Sequence, residues 1–153
     1  MSLHASIDVA ASPERVFALW ADAAGWPRWD PDLEEATLEG PFADGSRGSL
    51  KPRGAPRTAI ELNAVRPPHG FSAVARLPLC RMRFEHRLEP LMPPAAGCRV
   101  THAVRFEGPL APIFRRLVGP TVKRGLPGTM AGLKAAAERV ATEARVGTVA
   151  RDA

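Results

Sequence analysis

Cysteine is scarce in this chain. Cys80 and Cys98 are the only two among 153 residues, which excludes a disulfide framework or a Cys-x-x-Cys metal knuckle. Lysine is nearly as rare, occurring only at Lys51, Lys123 and Lys134, so the net charge of +5 and pI near 10.2 come from arginine. An Arg- and Ala-rich, Lys-poor composition follows genomic base composition, and no basic run is interleaved with aromatics. No nucleic-acid partner is therefore expected. No apolar run approaches the roughly 20 residues that span a bilayer, so integral membrane association is not expected either. The opening Met-Ser-Leu-His-Ala-Ser-Ile-Asp lacks the basic start and apolar block of a signal peptide, and a reduced, cytoplasmic setting is the default expectation. There is no glycine-rich phosphate loop, no Gly-x-Ser-x-Gly elbow and no His-Glu-x-x-His helix.

What is present fits one soluble domain, with 45% hydrophobic and 24% charged residues. Leu3, Ala5, Ile7 and Val9 alternate with polar residues as a half-buried strand. Ser12-Pro13 reads as an N-cap and first-turn proline, followed by Val16, Phe17, Leu19 and Trp20 at helical spacing. Gly25 and Pro27 break that pattern, and all three tryptophans, Trp20, Trp26 and Trp29, fall within ten residues. Short strands are expected over 33–40 and 48–51, then clearer ones over 58–64, 71–77, 80–89 and 99–107. The sharpest alternation sets Cys80, Met82, Phe84, His86 and Leu88 against Arg81, Arg83, Glu85, Arg87 and Glu89. Consecutive strands joined by short turns make an antiparallel meander.

From Leu110 the period turns helical, through Ile113, Phe114, Leu117, Val118, Met130, Leu133, Ala137 and Val140. Pro120 and Pro127 are expected to interrupt or kink its first half. Residues 1–146 form the expected domain, and 147–153, without pattern, are expected to fray as a disordered tail. The class is α+β: a curved antiparallel sheet whose apolar face needs the long helix to cover it.

That order of elements, with Ser12-Pro13-Glu14-Arg15-Val16-Phe17 leading into Trp26-Pro27-Arg28-Trp29-Asp30-Pro31, resembles the helix-grip superfamily known as SRPBCC (START/Bet v 1-like). Within it, the chain looks most like the polyketide cyclase/dehydrase branch. Gly97-Cys98-Arg99-Val100-Thr101-His102, Gly108-Pro109-Leu110 and Leu126-Pro127 to Glu138 carry the rest of the match. The resemblance implies an apolar pocket under the C-terminal helix for a polyketide-like or lipid-like molecule, without a cofactor. It leaves three roles open: a cyclase/dehydratase, a non-catalytic carrier, or a partner-binding module with a filled cavity, akin to the chaperone-ATPase-activator branch.

The candidate catalytic residues are His86 and His102, both on otherwise apolar strand faces. If Leu88 faces Val100, His86 lies directly opposite His102, about 5 Å away at Cβ. Burial and like charge would both keep such imidazoles neutral. A neutral imidazole can take a proton from carbon beside a carbonyl or donate a hydrogen bond to that carbonyl, as an aldol cyclisation and dehydration need. The alternative is a pair of satisfied core residues. A metal site lacks a third ligand, since Cys80 is about 20 Å along the strand from His86. Trp26 and Trp29 are expected at the mouth of the pocket, or else in the core. Phe71, Met82, Phe84, Phe106, Phe114 and Met130 are its candidate lining, or core fill. The charged strand faces read as cross-strand pairs, Arg81 with Glu107 and Glu89 with Arg99; a membrane-surface role for that face stays open, as does a homodimer through an edge strand.

Overall fold

The computed structural model describes residues 3–152, with side chains as far as Arg139. The elements are β1 (His4–Val9), α1 (Pro13–Ala21), a 3₁₀ helix (Ala23–Arg28), β2 (Leu33–Leu38), β3 (Arg47–Pro52), β4 (Thr58–Arg66), β5 (Gly70–Leu77), β6 (Cys80–Pro90), β7 (Cys98–Glu107) and α2 (Ala111–Asp152). The strands form one antiparallel sheet in the order β1-β7-β6-β5-β4-β3-β2. Every neighbour except the β1–β7 pair is consecutive in sequence, as a meander requires. The chain has the helix-grip α+β architecture: α2 packs on β1 and β7, and reaches β6 and α1.

Local chemistry explains where α1 begins. Ser12 is extended (φ −68°, ψ 154°), and its Oγ accepts from the Arg15 N–H at 3.3 Å. Pro13 follows at the first helical position, where a missing N–H costs nothing. Val16, Phe17 and Trp20 are buried.

α2 departs from expectation in two ways. It runs unbroken through Pro120 and Pro127. Both prolines are exposed, so the carbonyls that lose a donor partner face solvent and water can satisfy them. The helix also continues to Asp152, across the expected domain end at residue 146. Its apolar residues split into two stripes. Phe114, Val118 and Val122, four residues apart, pack on the core, as do the buried Met130, Leu133 and Ala137. Ile113 and Leu117, one residue before Phe114 and Val118, are rotated about 100° away, and are 52% and 70% exposed. The side chain of Val140 lies outside the described residues.

A close contact fixes α2 against the segment after the 3₁₀ helix. A Cβ on Gly132 would stand 1.8 Å from the Trp29 carbonyl oxygen, so only glycine permits this approach. Beside it, the buried Asp30 carboxylate accepts from the Thr129 hydroxyl at 2.9 Å and from the Asp32 N–H at 3.0 Å. Burial raises the Asp30 carboxyl above its ordinary value, and the two hydrogen bonds oppose that shift.

Among the charged faces, the register sets Arg81 opposite Glu107 and Glu89 opposite Arg99. Arg105–Glu85 at 3.5 Å is the diagonal pair that this register expects, while Arg83–Glu107 at 3.3 Å and Arg99–Asp8 at 2.8 Å form in place of the two directly opposed pairs. Long side chains reach diagonal partners, and β1, absent from the expected hairpin, supplies Asp8 to Arg99.

Candidate functional site

The β6–β7 register places His86 directly opposite His102. Their rings meet edge to face with centroids 4.4 Å apart. Alternation along each strand puts both imidazoles on the apolar face, and the antiparallel pairing then brings them together.

Aromatic rings enclose the pair. Phe71, the β5 partner of His86, stacks on it with centroids 4.1 Å apart and planes within 5°. From α1, Trp20 approaches His86 at 5.4 Å and His102 at 5.7 Å. Trp20 also contacts Phe17 and Phe71, and is fully buried. Sequence reasoning places Trp20 in a helix stripe and misses this role. The available signal is its spacing from the Ser12 cap, which turns Trp20 to the same helix face as Val16 and Phe17.

Four buried nitrogens have no hydrogen-bond partner among the described residues: Trp20 Nε1, Trp29 Nε1, His86 Nδ1 and His102 Nε2. Three of them belong to the rings just described. Buried polar atoms are ordinarily paired, so this cluster is chemically unfinished. His102 is 5% exposed, and burial lowers its pKa to about 4. His86 is half-buried as a residue with its Nδ1 enclosed. Its pKa lies well below the ordinary value, first through burial and then through the neighbouring His102, while the backbone of Phe71 and Phe84 works the other way. Both imidazoles are neutral at pH 7, each with a proton on one nitrogen and a lone pair on the other.

The expected lining residues divide. Trp26, Phe71, Met82, Phe106 and Met130 are buried in the main apolar cluster. Trp26 stacks on Phe71, and its Nε1 donates to the Trp20 carbonyl at 2.8 Å. Trp29, Phe84 and Phe114 are half-buried at the edge of that cluster, with Leu50, Leu77 and Val118. Of the two cysteines, Cys98 is enclosed and burial pushes its thiol up to about 11, which removes thiolate chemistry at neutral pH. No group of three His, Cys, Asp or Glu among the described residues is placed to hold a metal ion.

The model of the family described as "Polyketide cyclase / dehydrase and lipid transport" matches residues 1–141. No curated protein matches the sequence. Among solved structures, the chain is similar to the di-domain ARO/CYC StfQ from the steffimycin biosynthetic pathway (TM-score 0.72, 16% identity, covering 92% of this chain and 52% of that one). It is also similar to a protein from Thermus thermophilus, TTHA0849 (TM-score 0.71, 17% identity, 92% and 99% covered). A START superfamily protein from Mycobacterium smegmatis gives a TM-score of 0.64 at 18% identity, with 91% and 98% covered. At these identities the structural likenesses establish the fold.

Proposed function

This chain belongs to the polyketide cyclase/dehydrase and lipid transport family, and from that premise we propose that it binds a hydrophobic, polyketide-like or lipid-like molecule between the sheet and α2. Half-buried apolar side chains at the edge of the core supply the ligand's apolar contacts, Phe84 among them, which shares a strand face with His86. A carbonyl or hydroxyl oxygen of the ligand meets the imidazoles of His86 and His102. The observation that carries this reading is the set of unpartnered nitrogens on three touching rings. A polar oxygen inserted there would complete them, and each completed bond to an enclosed group contributes about 1 kcal/mol.

The same pair has the equipment for acid–base work. One neutral imidazole donates to a ligand carbonyl, and the other accepts a proton from the adjacent carbon, the first steps of an aldol cyclisation and dehydration. Burial keeps both rings in the form that this division of labour needs. The burial of Trp26, Phe71, Met82, Phe106 and Met130 favours a second reading, a partner-binding module with a filled interior.

Mass spectrometry of small molecules that travel with the purified protein separates the two. A bound hydrophobic compound, lost in His86→Gln/His102→Gln while the fold persists by circular dichroism, is the expected result. Retention of that compound by the double variant would remove the histidines from the site. A protein that never carries or takes up such compounds would support the filled module instead.

A further inference from the structure

Between Glu107 and Glu138 the sequence has no acidic residue, while Arg115, Arg116, Lys123, Arg124 and Lys134 all fall in that stretch. It covers the start of α2, where Ile113 and Leu117 are exposed on the stripe that faces away from the core. The tip of the β5–β6 hairpin lies beside it. The Leu79 carbonyl accepts from the Leu110 N–H at 3.1 Å, and Leu79 is 69% exposed. A shallow hollow of about 380 Å³ borders this tip, lined by Arg76, Leu77, Leu79, Arg81, Gly108 and Pro109, among others. Glu107 also borders it, but is paired with Arg83 at 3.3 Å. Arg76, Arg81, Arg115 and Arg116 are exposed and have no ion-pair partner among the described residues.

We propose that this end of the molecule, Leu79 flanked by Arg76 and Arg81 at the hairpin tip together with Ile113 and Leu117 flanked by Arg115 and Arg116 on the first turns of α2, docks on the surface of an anionic lipid bilayer. Three protruding apolar side chains insert at the headgroup boundary, and the arginines pair with lipid phosphates and carboxylates. A hairpin tip beside the outer face of one helix protrudes, and so suits a soft planar partner. A second copy of the chain fits poorly. A two-fold interface would set the same unpaired arginines against one another. The inference uses side chains that turn away from the imidazole site, and it stands or falls independently of what that site binds.

The test is co-sedimentation of the full chain with phosphatidylcholine vesicles, against vesicles in which about a third of the lipid is phosphatidylserine. Binding only to the anionic vesicles is expected. Ile113→Ser/Leu117→Ser should weaken it about tenfold or more, and Arg115→Gln/Arg116→Gln about fivefold per charge removed. Arg66→Gln/Arg139→Gln is the control. It removes the same charge at the end of β4 and about 20 residues further along α2, and should leave binding within about twofold. All the substituted positions are exposed, so folding should be kept. Overturning results are no anionic-vesicle binding, equal losses in the control, or indifference to the apolar pair. Self-association that disappears in Ile113→Ser/Leu117→Ser would assign the patch to a second copy and also overturn the proposal.

Discussion

At the scale of single residues, His86 and His102 couple the site to pH. Both have depressed folded-state pKa values, His102 at about 4 against an ordinary 6.5. Between those limits the unfolded chain binds protons that the folded chain refuses, so stability rises with pH across the window and is level above it. Acidification from pH 7 toward pH 4 should therefore lower the thermal midpoint, by a few kcal/mol of stability in all. His86→Gln/His102→Gln should flatten that slope in calorimetric scans over the same range; an unchanged slope would remove the imidazoles as its source. Asp30 acts with the opposite sign. Its raised pKa means that the folded state holds a proton above the ordinary carboxyl value, and stability falls as pH climbs through the raised value. The double histidine variant should keep that opposite trend. The shared apolar face of the two histidines was legible in the sequence because side chains alternate strictly along a strand, whereas their direct opposition depended on a register that the structure supplies. Asp30 was not, since its partner Thr129 is 99 positions away.

At the scale of elements, the strands and α1 follow their local patterns, and α2 departs from its own. Its two prolines promise a break, but both lie on the solvent side, where lost backbone bonds are cheaply replaced. Its apolar residues read as one stripe and are two, because 3.6-residue periodicity does not say which of two neighbouring rows meets a sheet. The contact of Gly132 with the Trp29 carbonyl makes a sharp prediction about how α2 is seated. Gly132→Ala would gain about 1 kcal/mol of helix propensity, but its Cβ would stand 1.8 Å from a backbone oxygen. Net destabilisation of about 1–3 kcal/mol is expected in urea titrations; a stabilised variant would show that α2 shifts freely over residues 29–32.

At the scale of the whole molecule, order should be uneven. Trp20, Leu62, Val100 and Leu133 are fully enclosed, whereas α2 from 113 to 124 has exposed apolar residues and packs through Phe114, Val118 and Val122, all half-buried. Amides of 113–124 should exchange with deuterium faster than those of β6 and β7, and a hydrophobic ligand should slow them selectively. Equal protection in both regions would mean that this half of α2 is not the moving cover of a site. By itself the sequence determined the order of elements, the α1 cap and the apolar strand faces that carry His86 and His102, since each depends on neighbours within one helix turn or along one strand; the register that sets the two histidines opposite one another came from the structure. It also carried the family resemblance, which the match over residues 1–141 bears out. Only tertiary structure decided that Trp20 closes over the histidines, that Trp26 lies in the core while Trp29 meets α2 at Gly132, and that Asp30 reaches Thr129. Those contacts join segments far apart in the chain, and periodicity within a segment says which face is buried without saying what covers it.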